Sequence, residues 1–268
     1  MNKSTDIRFL VIIGIAVMLF LFISFLVALI FTQRKKMKYQ LTMEKLREQQ
    51  QNQLIEAAVR SEEIERHRIA ETLHDEVGAI LSSAKMHLFS IKTENLNEKD
   101  KGLYEKGRDL LNEVIQRVRS ISHYLHSNIL KEFGLNEAIQ HFIHKITQGS
   151  LINSTISLDD NYKSESTEDD ISIYRIVQEL ANNILKYANP TEFVISSAYK
   201  YDGLDVVISH NGKGLTQEQF EELRFQKEGL GLKNIQNRII LLKGSIHFSN
   251  DSKGYSINIH IPVKSFKQ

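Results

Sequence analysis

The sequence predicts a chain of three parts: a single N-terminal transmembrane helix, an all-α helical hairpin, and a C-terminal α+β sandwich. Three observations predict this architecture. An uncharged apolar run of 23 residues, Phe9–Phe31, lies near the start. Two amphipathic stretches follow, with apolar residues three or four positions apart. The second half then mixes helical periodicity with short alternating segments that read as strands.

The composition supports this outline and narrows the chemistry. The chain has 268 residues, 41% of them hydrophobic, and 34 Lys and Arg against 33 Asp and Glu. A net charge of +1 offers no strongly basic surface for nucleic acid. With no cysteine, disulfide frameworks and thiolate metal sites are excluded. Two prolines in the whole chain leave room for long, unbroken helices.

As a helix, the apolar run rises about 34 Å, enough to cross a bilayer. A cleaved signal peptide has a shorter apolar core, about 7–15 residues, and a small-residue cleavage site, which this stretch does not resemble. Arg34, Lys35, Lys36 and Lys38 follow the run, against Lys3 and Arg8 before it. The positive-inside rule therefore predicts residues 1–8 outside and residues 32–268 in the cytoplasm. With only eight residues ahead of the span, no external sensing domain is expected.

Residues 32–64 are polar and rich in Gln, Glu, Lys and Arg, without Gly or Pro, as in a helical signalling linker. An exposed helical spacer fits equally well. The hairpin occupies 65–131. Its first helix spaces Ile69, Leu73, Val77, Ile80 and Ala84 at 4, 4, 3 and 4. Its second spaces Leu111, Val114, Val118, Ile121 and Leu125 at 3, 4, 3 and 4, and the polar "KTENLNEKDKG" between them predicts the turn. Two such helices leave an apolar stripe poorly covered, and pairing with a second copy into a four-helix bundle would bury it. A homodimer is expected.

The remaining segment, 132–268, changes texture. "EFGLNEAIQHFIHKI" predicts a helix and "STISL" a short strand. "TEDDISIYRIVQELANNILKYA" predicts a helix with Thr167 and Asp170 spaced as a capping box. "EFVISSAYKYDGLDVVISH" predicts two strands about a "YDG" turn, and "YSINIHIPV" a closing strand.

Three stretches of this segment carry candidate chemistry. In "QELANNILKYA", Glu179, Asn183 and Lys186 are four and three apart and can share a helical face. An amide oxygen suits Mg²⁺ and a lysine suits phosphate, although a solvated polar face has the same spacing. In "HNGKGL", Gly212 and Gly214 follow a predicted strand and permit close backbone approach, as they also would in a plain turn. In "EGLGLKNIQNRI", Gly229 and Gly231 lead toward a helix at about Leu232, whose amide groups would form an anion site. Upstream, "RHRIAETLHDEVGAILS" sets His74 and Asp75 side by side. On the helix alone, His74 reads first as a surface histidine.

Taken in order, these stretches resemble the sensor histidine kinases of two-component signalling, in the nitrate-sensor type subfamily. "QELANNILKYA" is similar to the N box, "HNGKGL" to the first glycine box and "GLGL" to the second. Together they mark the ATP-binding fold shared with gyrase, Hsp90 and MutL. The stretch around His74 is similar to the phosphoacceptor helix. The resemblance spans roughly residues 60–263. It implies that His74 is the phosphoacceptor and Asp75 its general base, and that Asn183 holds Mg²⁺ while Glu179 and Lys186 serve ATP. It further implies that His210, Gly212 and Gly214 line the nucleotide site and that Gly229 and Gly231 hinge a short lid. A response regulator receiver domain, usually with a helix-turn-helix output, would be the partner, and the bacterial inner membrane the location.

Two positions depart from the family pattern. Where the first glycine box usually begins with Asp, which accepts from the adenine amino group, this chain has His210. A neutral imidazole can accept one hydrogen bond and can also donate. Where the subfamily usually has a Gln that positions water for dephosphorylating the partner, this chain has Ala79. Weak phosphatase activity is expected. The alternative to a kinase is a degenerate domain acting as a dimeric docking module.

Overall fold

The computed structural model describes residues 3–126, 128–163, 166–224, 226, 230–252 and 254–262. The chain divides into two compact units, Met1–Leu54 and Ile55–Gln268. Helix α1 runs over Lys3–Thr72. In the first unit its large apolar side chains described between Ile12 and Phe31 are exposed. Among the described residues this is the one helix long and apolar enough to cross a membrane.

The second unit begins with the end of α1. A single π-helical turn, Leu73–Val77, follows, with the Gly78 N–H donating to the Leu73 carbonyl five residues back. Helix α2 (Gly78–Phe89) then leads through a 3₁₀ turn, Thr93–Asn95, to α3 (Glu98–Leu125). The linking stretch is shorter than its polar sequence suggests. Asn97 accepts from the Asp100 N–H at 2.8 Å, and this cap starts α3 inside it.

The predicted hairpin stripe divides into two faces. Ala70, Ile115 and Ser122 are buried between the helices, where the Ser122 hydroxyl donates to the Ala70 carbonyl at 3.1 Å. Leu73, Val77 and Val118 are half-buried on the same side. Ile69, Ile80, Val114 and Ile121 are exposed instead, Ile80 by 69%. Two helices can cover only one face of each other, so part of each apolar stripe stays open.

Helix α4 (Asn128–Thr147) breaks at Gly134, whose φ of 85° lies in the left-handed region that glycine adopts without strain. Helix α5 (Thr167–Tyr187) is capped by Ser166, which accepts from the Asp169 N–H. The capping box expected at Thr167 and Asp170 does not form, because the cap falls one residue earlier.

Among the described residues five strands complete the unit: β1 (Asn153–Ser157), β2 (Glu192–Lys200), β3 (Gly203–His210), β4 (Ser245–Asp251) and β5 (Gly254–Pro262). Their order is β1-β2-β3-β5-β4, parallel only between β1 and β2. Helices α6 (Gln217–Leu223) and α7 (Leu230–Leu241) lie between β3 and β4 in sequence. Alternation puts Leu204, Val206, Ile208 and His210 of β3 on the buried face. Ile195 of β2 and Ile257 of β5 flank Ile208 in register. Ile139, Ile143, Ile176, Val177, Leu180 and Ile239 of α4, α5 and α7 complete the core, giving the predicted α+β sandwich.

A buried charge cluster ties this sandwich to the end of α1. The Arg175 guanidinium, on α5, donates to both carboxylate oxygens of Glu63 at 2.6 and 3.0 Å. It also donates to the Gln178 side chain and to the carbonyls of Tyr124 and Leu125 at the end of α3. Arg238 of α7 donates to Glu62 at 3.1 Å. Burial raises the Glu63 carboxyl, but the Arg175 hydrogen bonds and charge outweigh it, and the net displacement is downward. A depressed carboxyl stabilises the fold above the ordinary carboxylate range and loses that contribution as pH falls through and below it. Arg175→Ala, which strands Glu63, is expected to cost about 3–5 kcal/mol in urea denaturation at neutral pH, and less in acid. An unchanged midpoint at pH 7 would refute this account.

Candidate functional site

The candidate residues lie in two places within the second unit. The first is the π-turn. His74 and Asp75 project from it with exposed side chains, and His74 Nδ1 lies 2.7 Å from Asp75 Oδ1. Adjacent residues of a regular helix point about 100° apart, so spacing alone does not promise this contact. A carboxylate only accepts, so the pair makes Nδ1 the protonated nitrogen and leaves the Nε2 lone pair outward.

The pair opens on a groove of about 400 Å³, also lined by Ala79, Ser82, Arg119 and Ser122. His123 lies one turn beyond Arg119, and its imidazole is pushed down by burial first, then by the charges of Lys145, His74, His141 and Arg119. Arg119 sets a positive charge on the groove beside His74, suited to a group that gains negative charge.

The second place gathers the three glycine- and amide-bearing stretches around α5. On α5, the Asn183 side-chain N–H donates to Glu179 Oε1 at 3.4 Å, a bond that does not engage the amide oxygen. Lys186 hydrogen-bonds to neither, although the Glu179 charge reaches it. It is exposed, with its ammonium 4.9 Å from the centre of the Tyr187 ring. Asn182 donates to the Tyr124 hydroxyl at 2.9 Å, linking this helix to α3.

The loop after β3 is pinned to the end of α5. The Lys213 N–H donates to the Ala188 carbonyl at 2.9 Å, and a side chain on Gly212 would collide with that carbonyl. A side chain on Gly214 would collide with the Tyr255 ring. Asn211 accepts from the Thr191 and Glu192 N–H groups at 2.9 and 3.0 Å, so it staples the loop and does not face a ligand. Gly231 sits in the first turn of α7, which begins at Leu230 and so starts earlier than the sequence suggests. There it abuts the Glu179 carboxylate, bringing the second glycine box to the α5 face. Gly229 lies outside the described residues.

His210 ends the buried row of β3 and is only 5% exposed. It stacks on Tyr255 at 5.8 Å and 12°, and its Nδ1 is buried with no hydrogen-bond partner. Burial pushes its imidazole down, so it is neutral at pH 7. An unpartnered buried nitrogen is costly and leaves His210 able to take one more polar partner.

These features fit a nucleotide. The orphan nitrogen beside an aromatic ring suits a base, while the crowded glycines let the backbone approach phosphates. The Glu179 and Asn183 oxygens suit Mg²⁺, which shares its shell with phosphate and water. Tyr124 and Tyr255 escape sequence reasoning because each meets the site from a distant element. The alternation of β3, which makes His210 an inward residue, was the available signal for its burial.

Comparison with known proteins agrees with this geometry. Residues 65–130 match a family model described as histidine kinase. Residues 168–265 match one described as histidine kinase-, DNA gyrase B- and HSP90-like ATPase. Together they cover more than half of the chain, and the chain belongs to the sensor histidine kinase family. Similar relatives include the sensor histidine kinase MctS of Rhizobium johnstonii, 24% identical over 78% of this chain and 45% of that protein. The sensor protein VraS of Staphylococcus aureus is 27% identical over 75% and 56%. The oxygen sensor histidine kinase NreB of Staphylococcus carnosus is 23% identical over 80% and 60%. The chain thus spans about half the length of these relatives. Among solved structures, the catalytic domain of histidine kinase ThkA is 22% identical at a TM-score of 0.43, over 48% of this chain and 92% of that one.

Proposed function

We propose that the chain is a membrane-anchored histidine kinase that uses Mg-ATP to phosphorylate His74 and passes the phosphoryl group to an aspartate of a response regulator. The observation that carries this reading is the His74–Asp75 pair, which offers an outward nucleophilic nitrogen within the unit that also holds the orphaned His210. In the reaction, the Nε2 lone pair of His74 attacks the terminal phosphorus. The Nε2–P bond forms, the bond from phosphorus to the bridging oxygen breaks, and ADP leaves. Asp75 takes the Nδ1 proton of the resulting imidazolium, leaving a neutral phosphohistidine.

Asn183, with Glu179, would hold Mg²⁺, which neutralises phosphate charge when bound. Lys186 would reach the phosphates from its exposed position, and Gly229 and Gly231 would hinge the lid. The exposed apolar face of the hairpin, including Ile80 and Ile121, supports a homodimeric four-helix bundle. The apolar run with its basic flank supports anchoring in the inner membrane, catalytic part inward. The test is to incubate the full chain, in detergent, with γ-labelled ATP and Mg²⁺. Acid-labile, alkali-stable label on the protein is expected, and its absence would refute the kinase.

Ala79 lines the groove at His74 with no hydrogen-bonding side chain. The kinase is therefore a poor phosphatase toward its partner. Ala79→Gln is expected to speed loss of the regulator's aspartyl phosphate on the order of tenfold, by positioning a water. If release is no faster with the glutamine than with alanine, this role of position 79 is wrong.

A further inference from the structure

Building on the nucleotide-site reading above, we infer that His210 is the base-reading residue and that the site accepts guanine as well as adenine nucleotides. Leu204, Val206 and Ile208 occupy the first three inward positions of β3, all of them aliphatic and buried. The fourth, at the mouth of the glycine loop, is an imidazole with a buried, unpartnered nitrogen.

The surroundings suit a flat heteroaromatic ligand. Phe193 and Tyr255 flank His210 in register on the neighbouring strands, and the Tyr255 ring lies nearly parallel to the imidazole. Gly214 rests on that same ring, so the glycine loop packs directly on the aromatic pair. Apolar walls with one or two placed polar groups are the usual make-up of a small-molecule pocket.

What this reader selects follows from its proton chemistry. A carboxylate at such a position accepts only, so it favours an exocyclic amino group and repels a carbonyl. Burial is the sole cause moving the proton affinity of His210, and no charged neighbour among the described residues contributes. Among the described residues no hydrogen bond fixes either ring nitrogen, so neither tautomer is imposed. With its proton on one nitrogen, the ring accepts from the amino group of adenine. With the proton on the other, it donates to the carbonyl of guanine. Each base meets a matched partner, and the large penalty for an unpaired buried group does not arise for either.

The test is calorimetric titration of the full chain, in detergent with Mg²⁺, using non-hydrolysable ATP and GTP analogues. Wild type is expected to bind both with affinities within about tenfold of each other. His210→Asp is expected to keep the ATP analogue and weaken the GTP analogue more than about tenfold relative to it. Wild type that binds the ATP analogue yet rejects the GTP analogue by more than about a hundredfold overturns the inference and leaves the kinase reading standing. Failure to bind either analogue overturns both. Nitrogen-15 spectra of histidine-labelled wild type give a readout that needs no variant. Opposite His210 tautomers in the two complexes support the inference, and one tautomer in both overturns it.

Discussion

His74→Gln is expected to abolish autophosphorylation, with at least a thousandfold loss of acid-labile label, on the order of what removing a covalent nucleophile costs. Glutamine keeps the polarity and much of the bulk of the side chain but has no nucleophilic lone pair on nitrogen. The exposure of His74 means that its replacement disturbs no core, so the thermal midpoint of the variant should match wild type. Asp75→Asn sharpens the test. An amide at the 2.7 Å contact can donate to Nδ1 as well as accept from it, so the tautomer with Nε2 free is no longer enforced. A loss of about 10²–10⁴-fold is expected, with nucleotide affinity unchanged. Labelling of the His74→Gln protein at the wild-type rate would place the phosphoacceptor elsewhere.

The second large effect is expected from Gly212→Ala. The added carbon collides with the backbone carbonyl of Ala188, not with a side chain that can swing away. That carbonyl also receives the Lys213 N–H, and Asn211 staples the preceding residue to the start of β2. The loop is held on both sides of position 212 and must shift as a body. Overpacking of this kind costs about 1–3 kcal/mol, and a shifted loop should weaken binding of an ATP analogue by about ten- to a hundredfold. Binding at wild-type strength, seen in the same titration, would show that the loop does not shape the nucleotide site.

Much of this was legible in the sequence because local rules governed it. The alternation in "LDVVISH" predicted β3, and the three- and four-residue spacings predicted both hairpin helices. Strand β4 was not foreseen, since "SIHFSND" offers only Ile246 and Phe248 as apolar residues at the sheet edge. The cap of α5 fell on Ser166 because neighbouring Ser and Thr are near-equal caps and sequence spacing does not separate them. The charge cluster was out of reach for another reason. Glu63 and Arg175 are 112 residues apart, and Glu62 and Arg238 are 176 apart, so no local pattern links them. The signal that existed was Arg175 itself, a charge inside the apolar run "SIYRIVQ". At the site, residue types were legible but mutual contacts were not. The detachment of Lys186 from Asn183 and the contact between Gly231 and Glu179 depend on rotamers and on packing between distant elements.

The π-turn at Leu73–Val77 bears on how a displacement passes along the hairpin. One stripe of half-buried or buried positions runs through 63, 66, 70, 73, 77, 81, 85 and 88, with three steps of four in succession across the turn. Such a run is a stutter, and a stutter locally unwinds a left-handed supercoil. Helices straightened in this way twist about their own axes with less resistance from a neighbour. The stretch bearing His74 is then expected to be the torsionally softer part of the hairpin, where a small twist of the helix would change the direction the imidazole faces.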